Sequence, residues 1–78
     1  MNSRYESVSV YGLGYVGLTL CAVWLRAGHK VIGVDVDEEK VKSLNDGIVS
    51  HTETLVKEEV TRAIAEGRFK STLDGVLA

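Results

Sequence analysis

Three glycines near the start of the chain have a spacing that could serve phosphate chemistry. Gly12, Gly14 and Gly17 form a G-x-G-x-x-G pattern, which indicates dinucleotide binding only where a strand precedes it and a helix opens inside it. There, the first glycine permits a tight turn, the second lets a pyrophosphate approach the backbone, and the third lets the helix pack closely on the strand. Backbone N–H groups at the start of the helix attract the phosphates. The alternative is a plain tight turn between a strand and a helix.

An acidic residue stands where such a loop needs one. Asp35 follows Gly12 by 23 positions and comes directly after an apolar run, the place at which a carboxylate receives the ribose of a bound dinucleotide. A carboxylate can accept hydrogen bonds from both hydroxyls of a vicinal diol, whereas its charge repels a 2′-phosphate. Asp35 therefore favours NAD over NADP as the ligand. The alternative is a strand-end carboxylate in water, and Asp37 is interpreted as a helix cap.

Strands and helices of the required kind surround these residues. Period-2 alternation predicts a strand before the loop, a helical apolar period follows it, and a continuous apolar run suited to a buried parallel strand comes next. Two further helices and a weak strand follow, with Ser50 and Glu53 matching a capping box for the last helix. The predicted elements are strands at 7–11, 30–34 and 68–72 and helices at 15–27, at 38–44 and from the capping box at Ser50 and Glu53 to Gly67.

The order β-α-β-α-α-β predicts the fold class. Alternation of strands and helices favours a parallel sheet with right-handed crossovers. We therefore predict an α/β fold, a truncated Rossmann-like half-domain with a short parallel sheet of about three strands and helices on both faces. Residues 1–78 are interpreted as one partial NAD-binding domain, because 78 residues can bury only a small core.

Composition argues against several other classes of function. The net charge is −2 and no basic stripe is present, which argues against a nucleic-acid surface. The apolar run at 12–25 is shorter than the roughly 20 residues that a membrane helix needs, so we expect no membrane association. Cys21 is the single cysteine, and we expect it to be an inert buried thiol in a cytoplasmic protein. No metal-ligand spacing is present.

The first predicted helix is apolar almost all round. Val16, Leu20, Val23 and Ala27 fall on one helical face, and the strand before the loop is expected at an edge of the sheet. An open strand edge beside an exposed apolar helix marks an interface. We therefore predict a homodimer through the first strand or first helix, or binding of a complementing chain. The alternative is that residues 76–77 fold back over the edge.

The loop and its surroundings also carry a family resemblance. The segment VSVYGLGYVGL, followed by AGHKVIGVD, resembles the start of the UDP-glucose/GDP-mannose dehydrogenase family. The likeness runs from about residue 8 to residue 74 and covers only the first part of a family member, which is several times longer. In that family the loop holds the NAD pyrophosphate and the acid binds the adenosine ribose, with the N–H groups of Tyr15 and Val16 available here. The resemblance implies cofactor binding by Gly12, Leu13, Gly14, Tyr15, Val16, Gly17 and Asp35.

One further match and one departure qualify the resemblance. The family has a basic residue near the ribose, five positions after the acid, and Lys40 matches it; the alternative is an exposed helix lysine. Family members usually carry Glu-Pro-Gly-Leu in a later segment. Here Glu53 is followed by Thr54, Leu55 and Val56, so only the glutamate and an apolar fourth residue remain.

The resemblance implies an activity that these residues alone do not account for. The family oxidises a sugar-nucleotide alcohol to a carboxylate in two NAD-dependent steps, with a cysteine in a motif far downstream, and Cys21 is not its counterpart. We therefore expect an NAD-binding N-terminal part of a nucleotide-sugar 6-dehydrogenase, as used in polysaccharide biosynthesis, lacking the catalytic and substrate-binding parts and inactive alone. The alternative is a stand-alone NAD-binding regulatory or structural module that acts with a partner chain.

Overall fold

The computed structural model describes residues 7–50 and 52–73, so the prediction for residues 76–77 lies outside the described residues. Every predicted element is present and the α/β class is confirmed, although the last helix begins at Thr54, later than a cap at Ser50 implies. Within the described residues, no helix has the length and apolar character needed to cross a membrane. The elements are β1 (Ser7–Tyr11), α1 (Tyr15–Arg26), β2 (Lys30–Val34), α2 (Glu38–Asn45), α3 (Thr54–Ala65) and β3 (Phe69–Thr72).

The three strands form one parallel sheet in the order β1-β2-β3. β2 lies at the centre, and its Gly33 stands opposite Val10 of β1 and Ser71 of β3. β1 is an edge strand of this sheet, as the sequence predicts. The carboxyl ends of all three strands lie at the same edge of the sheet, and the glycine loop follows β1 at that edge.

All three helices cover the same face of the sheet, so the prediction of helices on both faces is wrong. α1 approaches that face where Gly17 meets Val10, and α2 approaches it where Asn45 and the carbonyl of Val41 contact Ser71. α3 supplies its buried side chains to the same core. The reason is that right-handed crossovers between strands added in one direction bring each connection back over the same face.

The opposite face of the sheet is mixed in character and mostly exposed among the described residues, apart from Val34, which is buried. Because successive side chains of a strand point to opposite faces, Ser9, Ile32 and Lys70 share this face. Ser9 and Lys70 are exposed and Ile32 is partly exposed, whereas Val10 and Val31, on the helix-covered face, are buried. The hydrophobic core therefore lies on one side of the sheet only.

The most regular apolar stripe of α1 does not face the sheet. Val16, Leu20 and Val23 are 69%, 47% and 57% exposed. The buried side of the helix is instead formed by Gly17, Leu18, Cys21, Ala22 and Leu25. Three of these five residues are small, and small residues let a helix approach a sheet closely. The stripe that predicted the helix thus lies on its exposed side.

The helix ends follow the predictions at α2 but not at α3. The Asp37 side chain caps α2, since its Oδ1 accepts hydrogen bonds from the N–H groups of Glu39 at 3.0 Å and Lys40 at 3.2 Å. The capping box predicted from Ser50 and Glu53 is wrong. Glu53 is itself the N-cap residue of α3 and makes no side-chain cap, because its carboxylate is bonded elsewhere.

Arg68 joins the start of β3 to the end of α1. Its guanidinium Nη2 donates to the carbonyl oxygens of Leu25 and, at 3.5 Å, His29. Nη1 lies 3.2 Å from Glu66 Oε1. The Leu25 carbonyl also accepts the Gly28 N–H at 3.0 Å, so Arg68 adds a charged donor to the last turn of α1 and fixes the helix against the third strand.

Candidate functional site

The glycine loop leaves β1 by a turn that requires glycine. Gly12 has φ +86°, a left-handed conformation that residues with a Cβ atom rarely adopt. The N–H of Gly12 still donates to the Val34 carbonyl at 2.7 Å, so the turn begins directly at the end of the parallel ladder. α1 then begins after Gly14, which is its N-cap residue with φ −75° and ψ −162°.

Gly14 faces open space at the start of α1. A Cβ atom built on it would meet nothing within 4 Å. No side chain caps α1 and its first turn contains no acidic residue, although the first N–H groups of any helix lack intrahelical acceptors. Tyr15 and Val16, the next two residues, are 53% and 69% exposed. The start of α1 therefore offers backbone donors and the positive end of the helix dipole to an anion.

Gly17 has a different environment from Gly14. A Cβ atom on Gly17 would lie 1.7 Å from the carbonyl oxygen of Gly12 and 3.9 Å from Cγ1 of Val10. No side chain fits there. The contact matches the close approach of helix and strand expected of the third glycine.

The Asp35 carboxylate joins the glycine loop to the end of β2. Its Oδ2 accepts a hydrogen bond of 2.7 Å from the Leu13 N–H, and its Oδ1 accepts one of 3.0 Å from the Asp37 N–H. These two bonds, the Leu13 bond first, hold the pKa of Asp35 below its ordinary value. The side chain is 12% exposed, and these hydrogen bonds hold the carboxylate in place beside the loop.

Lys40 lies beside this carboxylate, as the sequence predicts. Its Nζ is 3.9 Å from Asp35 Oδ2, and its side chain is 38% exposed. The two residues meet because α2 begins directly after the acid, which puts Lys40 in the first turn of the helix. The charge of the lysine adds to the lowering of the pKa of Asp35.

Leu13 differs from the other loop residues. Its side chain is 1% exposed, and its N–H is committed to Asp35. It therefore offers a ligand neither its side chain nor its N–H. Its place in the predicted site is that of an anchor beneath the loop.

A cleft of about 320 Å³ opens between the loop and α2. Gly14 and Tyr15 form one wall, and Lys40 and Ser43 of α2 form part of the other. Ile48, which is 59% exposed, lies at its rim. Backbone donors, a cation and apolar surface thus surround one concavity that adjoins the Asp35 carboxylate.

Glu53, which the sequence analysis named for a capping box and a family segment, contacts a residue of the glycine loop instead. Its Oε2 accepts a hydrogen bond of 2.8 Å from the Tyr15 hydroxyl, and this bond raises the pKa of Tyr15. The two residues are 38 positions apart, and no periodicity connects them. The only signal in the sequence is that Glu53 is retained where the neighbouring residues depart from the family pattern.

These features define a class of protein: a parallel sheet, a glycine loop that opens a helix and an acid after the second strand make a dinucleotide-binding unit of the Rossmann type. Residues 6–77 match the sequence profile of the UDP-glucose/GDP-mannose dehydrogenase family, NAD binding domain. The chain belongs to this family, and the cofactor of the matched domain is NAD. The resemblance noted in the sequence is thereby confirmed.

Individual relatives agree with the family assignment. A UDP-N-acetyl-D-mannosamine dehydrogenase of Methanococcus aeolicus is 43% identical over 64 residues, which cover 82% of this chain and 15% of that protein. A GDP-mannose 6-dehydrogenase of Pseudomonas putida is 43% identical over 68 residues, which cover 86% of this chain and 15% of that protein. The chain thus spans about 15% of the length of these relatives.

Solved structures agree with the fold assignment. A UDP-glucose dehydrogenase from Pyrobaculum islandicum has a TM-score of 0.80 and 34% identity, covering 94% of this chain and 17% of that one. A ternary complex of GDP-mannose dehydrogenase from Pseudomonas aeruginosa has a TM-score of 0.74 and 32% identity, covering 91% and 16%. The Rossmann-like arrangement predicted from the sequence is confirmed.

Proposed function

We propose that this chain binds NAD at its glycine loop, as the cofactor-binding part of an NAD-dependent nucleotide-sugar dehydrogenase. The observation that carries the proposal is the 2.7 Å hydrogen bond from the Leu13 N–H to Asp35 Oδ2. Because of this bond, a charged carboxylate lies directly beside the uncapped start of α1. An anion-binding helix start next to a diol-binding acid suits the pyrophosphate and ribose of a dinucleotide.

Each part of the site has a proposed partner on the cofactor. The pyrophosphate lies against the loop of Gly12, Gly14 and Gly17 and receives hydrogen bonds from the N–H groups of Tyr15 and Val16. The ribose hydroxyls donate to Asp35, with Lys40 alongside. Each Asp35 oxygen accepts one backbone N–H, and a carboxylate has about four acceptor sites. Asp35 can therefore bind a diol without releasing the loop.

The charge around Asp35 supports NAD rather than NADP. Asp35, Asp37 and Glu39 lie within five positions of one another, whereas Lys40 is the one cation paired with the acid among the residues that the structure describes. A 2′-phosphate on the ribose brings two negative charges close to this group. We propose that the cost of that repulsion excludes NADP.

Substrate chemistry is proposed from the relatives alone. Those proteins are dehydrogenases of UDP-N-acetyl-D-mannosamine, UDP-glucose and GDP-mannose. We propose that a protein containing this chain oxidises a nucleotide sugar with NAD, using catalytic and substrate-binding residues outside residues 1–78. The chain alone is then an inactive cofactor-binding domain.

The exposed apolar side of α1 supports a second proposal, that this domain self-associates. Val16, Leu20, Val23 and Trp24 are all at least 40% exposed. Two copies packed about a two-fold axis would cover these side chains. The alternative module that works with a partner chain would use the same surface.

Titration of the purified chain with four ligands tests the NAD proposal. Calorimetric measurements with NAD, ADP-ribose, NADP and AMP are expected to give millimolar to high-micromolar affinity for NAD, or roughly −4 to −6 kcal/mol. ADP-ribose is expected to bind about as well as NAD, and NADP at least tenfold more weakly. NADP binding as tight as NAD binding would contradict the role of Asp35. AMP binding as tight as NAD binding would contradict the role of the loop.

A further inference from the structure

Gly33, in the middle of β2, lies directly beneath the side chain of Leu13. A Cβ atom built on Gly33 would be 2.8 Å and 2.9 Å from the two terminal carbons of Leu13 and 3.2 Å from Cζ of Phe69. All three distances are shorter than ordinary carbon–carbon contact. Gly33 has no left-handed φ, so what its missing side chain provides is space.

Leu13 fills that space and is almost wholly buried. Its side chain is 1% exposed, and Phe69, on the other side of Gly33, is 5% exposed. Protein interiors are closely packed, so an added methyl group moves its neighbours. At Gly33, the displaced neighbour is a residue of the glycine loop itself.

The backbone of Leu13 is held by the same strand. Its N–H donates to Asp35, two residues after Gly33, and the preceding N–H of Gly12 donates to Val34. The loop is therefore attached to β2 by one apolar contact and two hydrogen bonds. A shift of the Leu13 backbone would change the position of Gly14 and the start of α1.

We propose that Gly33 is a positioning residue for the cofactor. The space left by its missing Cβ atom, here called the socket, holds the Leu13 side chain. This contact fixes the position of the glycine loop relative to the end of β2. Leu13 in its socket brings its N–H to Asp35 and holds the start of α1 ready for the pyrophosphate. This inference rests on NAD binding at the loop and assigns a role in it to a residue that does not touch the cofactor.

The test compares the wild-type chain with Gly33→Ala and with the double variant Gly33→Ala/Leu13→Val. Valine lacks the two terminal carbons that the new methyl group would meet. Gly33→Ala is expected to weaken NAD binding at least tenfold, and the double variant is expected to recover to within about threefold of wild type. Ile32→Val, on the opposite face of the same strand, is the control and is expected to leave binding unchanged.

A second readout separates positioning from loss of stability. In Gly33→Ala, the pKa of Asp35, followed by NMR of its labelled carboxyl carbon, is expected to rise towards its ordinary value as the Leu13 N–H moves away. The double variant is expected to restore the low pKa. Both measurements are made at a temperature where each variant is folded. If Gly33→Ala does not fold, the NAD affinity and Asp35 pKa of the double variant are compared with those of the wild type.

The outcomes distinguish this inference from the proposed function. If the wild-type chain does not bind NAD, the proposed function fails, and an unchanged carboxyl pKa in Gly33→Ala would separately refute the socket. If the wild-type chain binds NAD and folded Gly33→Ala binds it equally well, the positioning role is wrong. Failure of the folded double variant to recover binding would also overturn it.

Discussion

Gly17 lies so close to Gly12 that a Cβ atom on Gly17 would stand 1.7 Å from the Gly12 carbonyl oxygen. Gly14, midway between them along the chain, has nothing within 4 Å of the same position. Two glycines of one motif thus serve different purposes. One lets a helix contact a strand end, and the other leaves the surface open where a ligand can approach.

Gly14→Val is therefore expected to affect mainly NAD binding, and Gly17→Val mainly the stability of the fold. Gly14→Val should abolish NAD binding and cost about 1 kcal/mol of stability, because valine is a poor N-cap residue but meets no neighbour. Gly17→Val should cost about 3 kcal/mol or more, because its side chain collides with backbone. Thermal unfolding and NAD titration of both variants make the comparison. Equal melting temperatures would show that the two roles are not separate.

Asp35→Asn is expected to change how stability depends on pH. The folded-state pKa of Asp35 lies below its ordinary 3.8, so its contribution is complete well above pH 3.8 and is lost as the pH falls through the folded-state pKa. Losing hydrogen bonds to a charged acceptor should cost about 1.5–3 kcal/mol at pH 7. Urea unfolding from pH 7 to pH 2.5 should show the wild type converging on the variant at low pH. Parallel curves, or the same behaviour in the exposed control Asp46→Asn, would contradict the assignment.

Arg68→Met is expected to destabilise the fold. It removes a charged donor from the last turn of α1 and leaves the Leu25 carbonyl with the Gly28 N–H, a loss of about 1.5–3 kcal/mol for a hydrogen bond from a charged group. The control is Arg62→Met, because Arg62 pairs with Glu59 on the same helix and its side chain is 60% exposed. Exposed pairs of that kind contribute about 0.5 kcal/mol or less. Chemical denaturation should separate the two variants, and equal midpoints would refute the role of Arg68.

Glu53→Gln is expected to lower the pKa of Tyr15 towards its ordinary 10.0, because the hydrogen bond and charge that raise it come from Glu53. A raised tyrosine pKa stabilises the fold below pH 10 and ceases to do so as the pH rises through the folded-state value. NMR titration of ring-labelled tyrosine should show the shift. Glu58→Gln, a change at an exposed residue of α3, should leave the titration unchanged, and an equal shift in that control would mean that the contact is not specific.

Leu20→Glu is expected to abolish self-association. A charge in the middle of the exposed apolar side of α1 would be buried without a partner in a dimer. Val36→Glu is the matched control, because Val36 is 93% exposed and lies away from α1. Sedimentation equilibrium over a wide concentration range should show a dimer for the wild type and the control and a monomer for Leu20→Glu. A wild-type chain that stays monomeric at the highest concentration would refute the dimer.

The sequence alone determined the features that depend on neighbours along the chain. Strand and helix bounds follow from apolar periodicity and from punctuating glycines, which act over a few residues. The loop from Gly12 to Gly17 and the acid Asp35 were recognisable because their spacing reflects one βαβ unit of nearly constant length. Lys40 was recognisable only through the family resemblance, which has a basic residue five positions after the acid.

Only the tertiary structure decided which surfaces meet. The side of α1 that carries small residues packs on the sheet, and the more regular stripe of Val16, Leu20 and Val23 does not. The reason is that close packing depends on shape as well as hydrophobicity. The positions of Gly33 beneath Leu13 and of Tyr15 beside Glu53 join residues 20 and 38 positions apart. Such contacts follow from the way strands and helices stack, which no local pattern encodes. The side of the sheet that carries all three helices was likewise set by the handedness of the crossovers and the order of the strands.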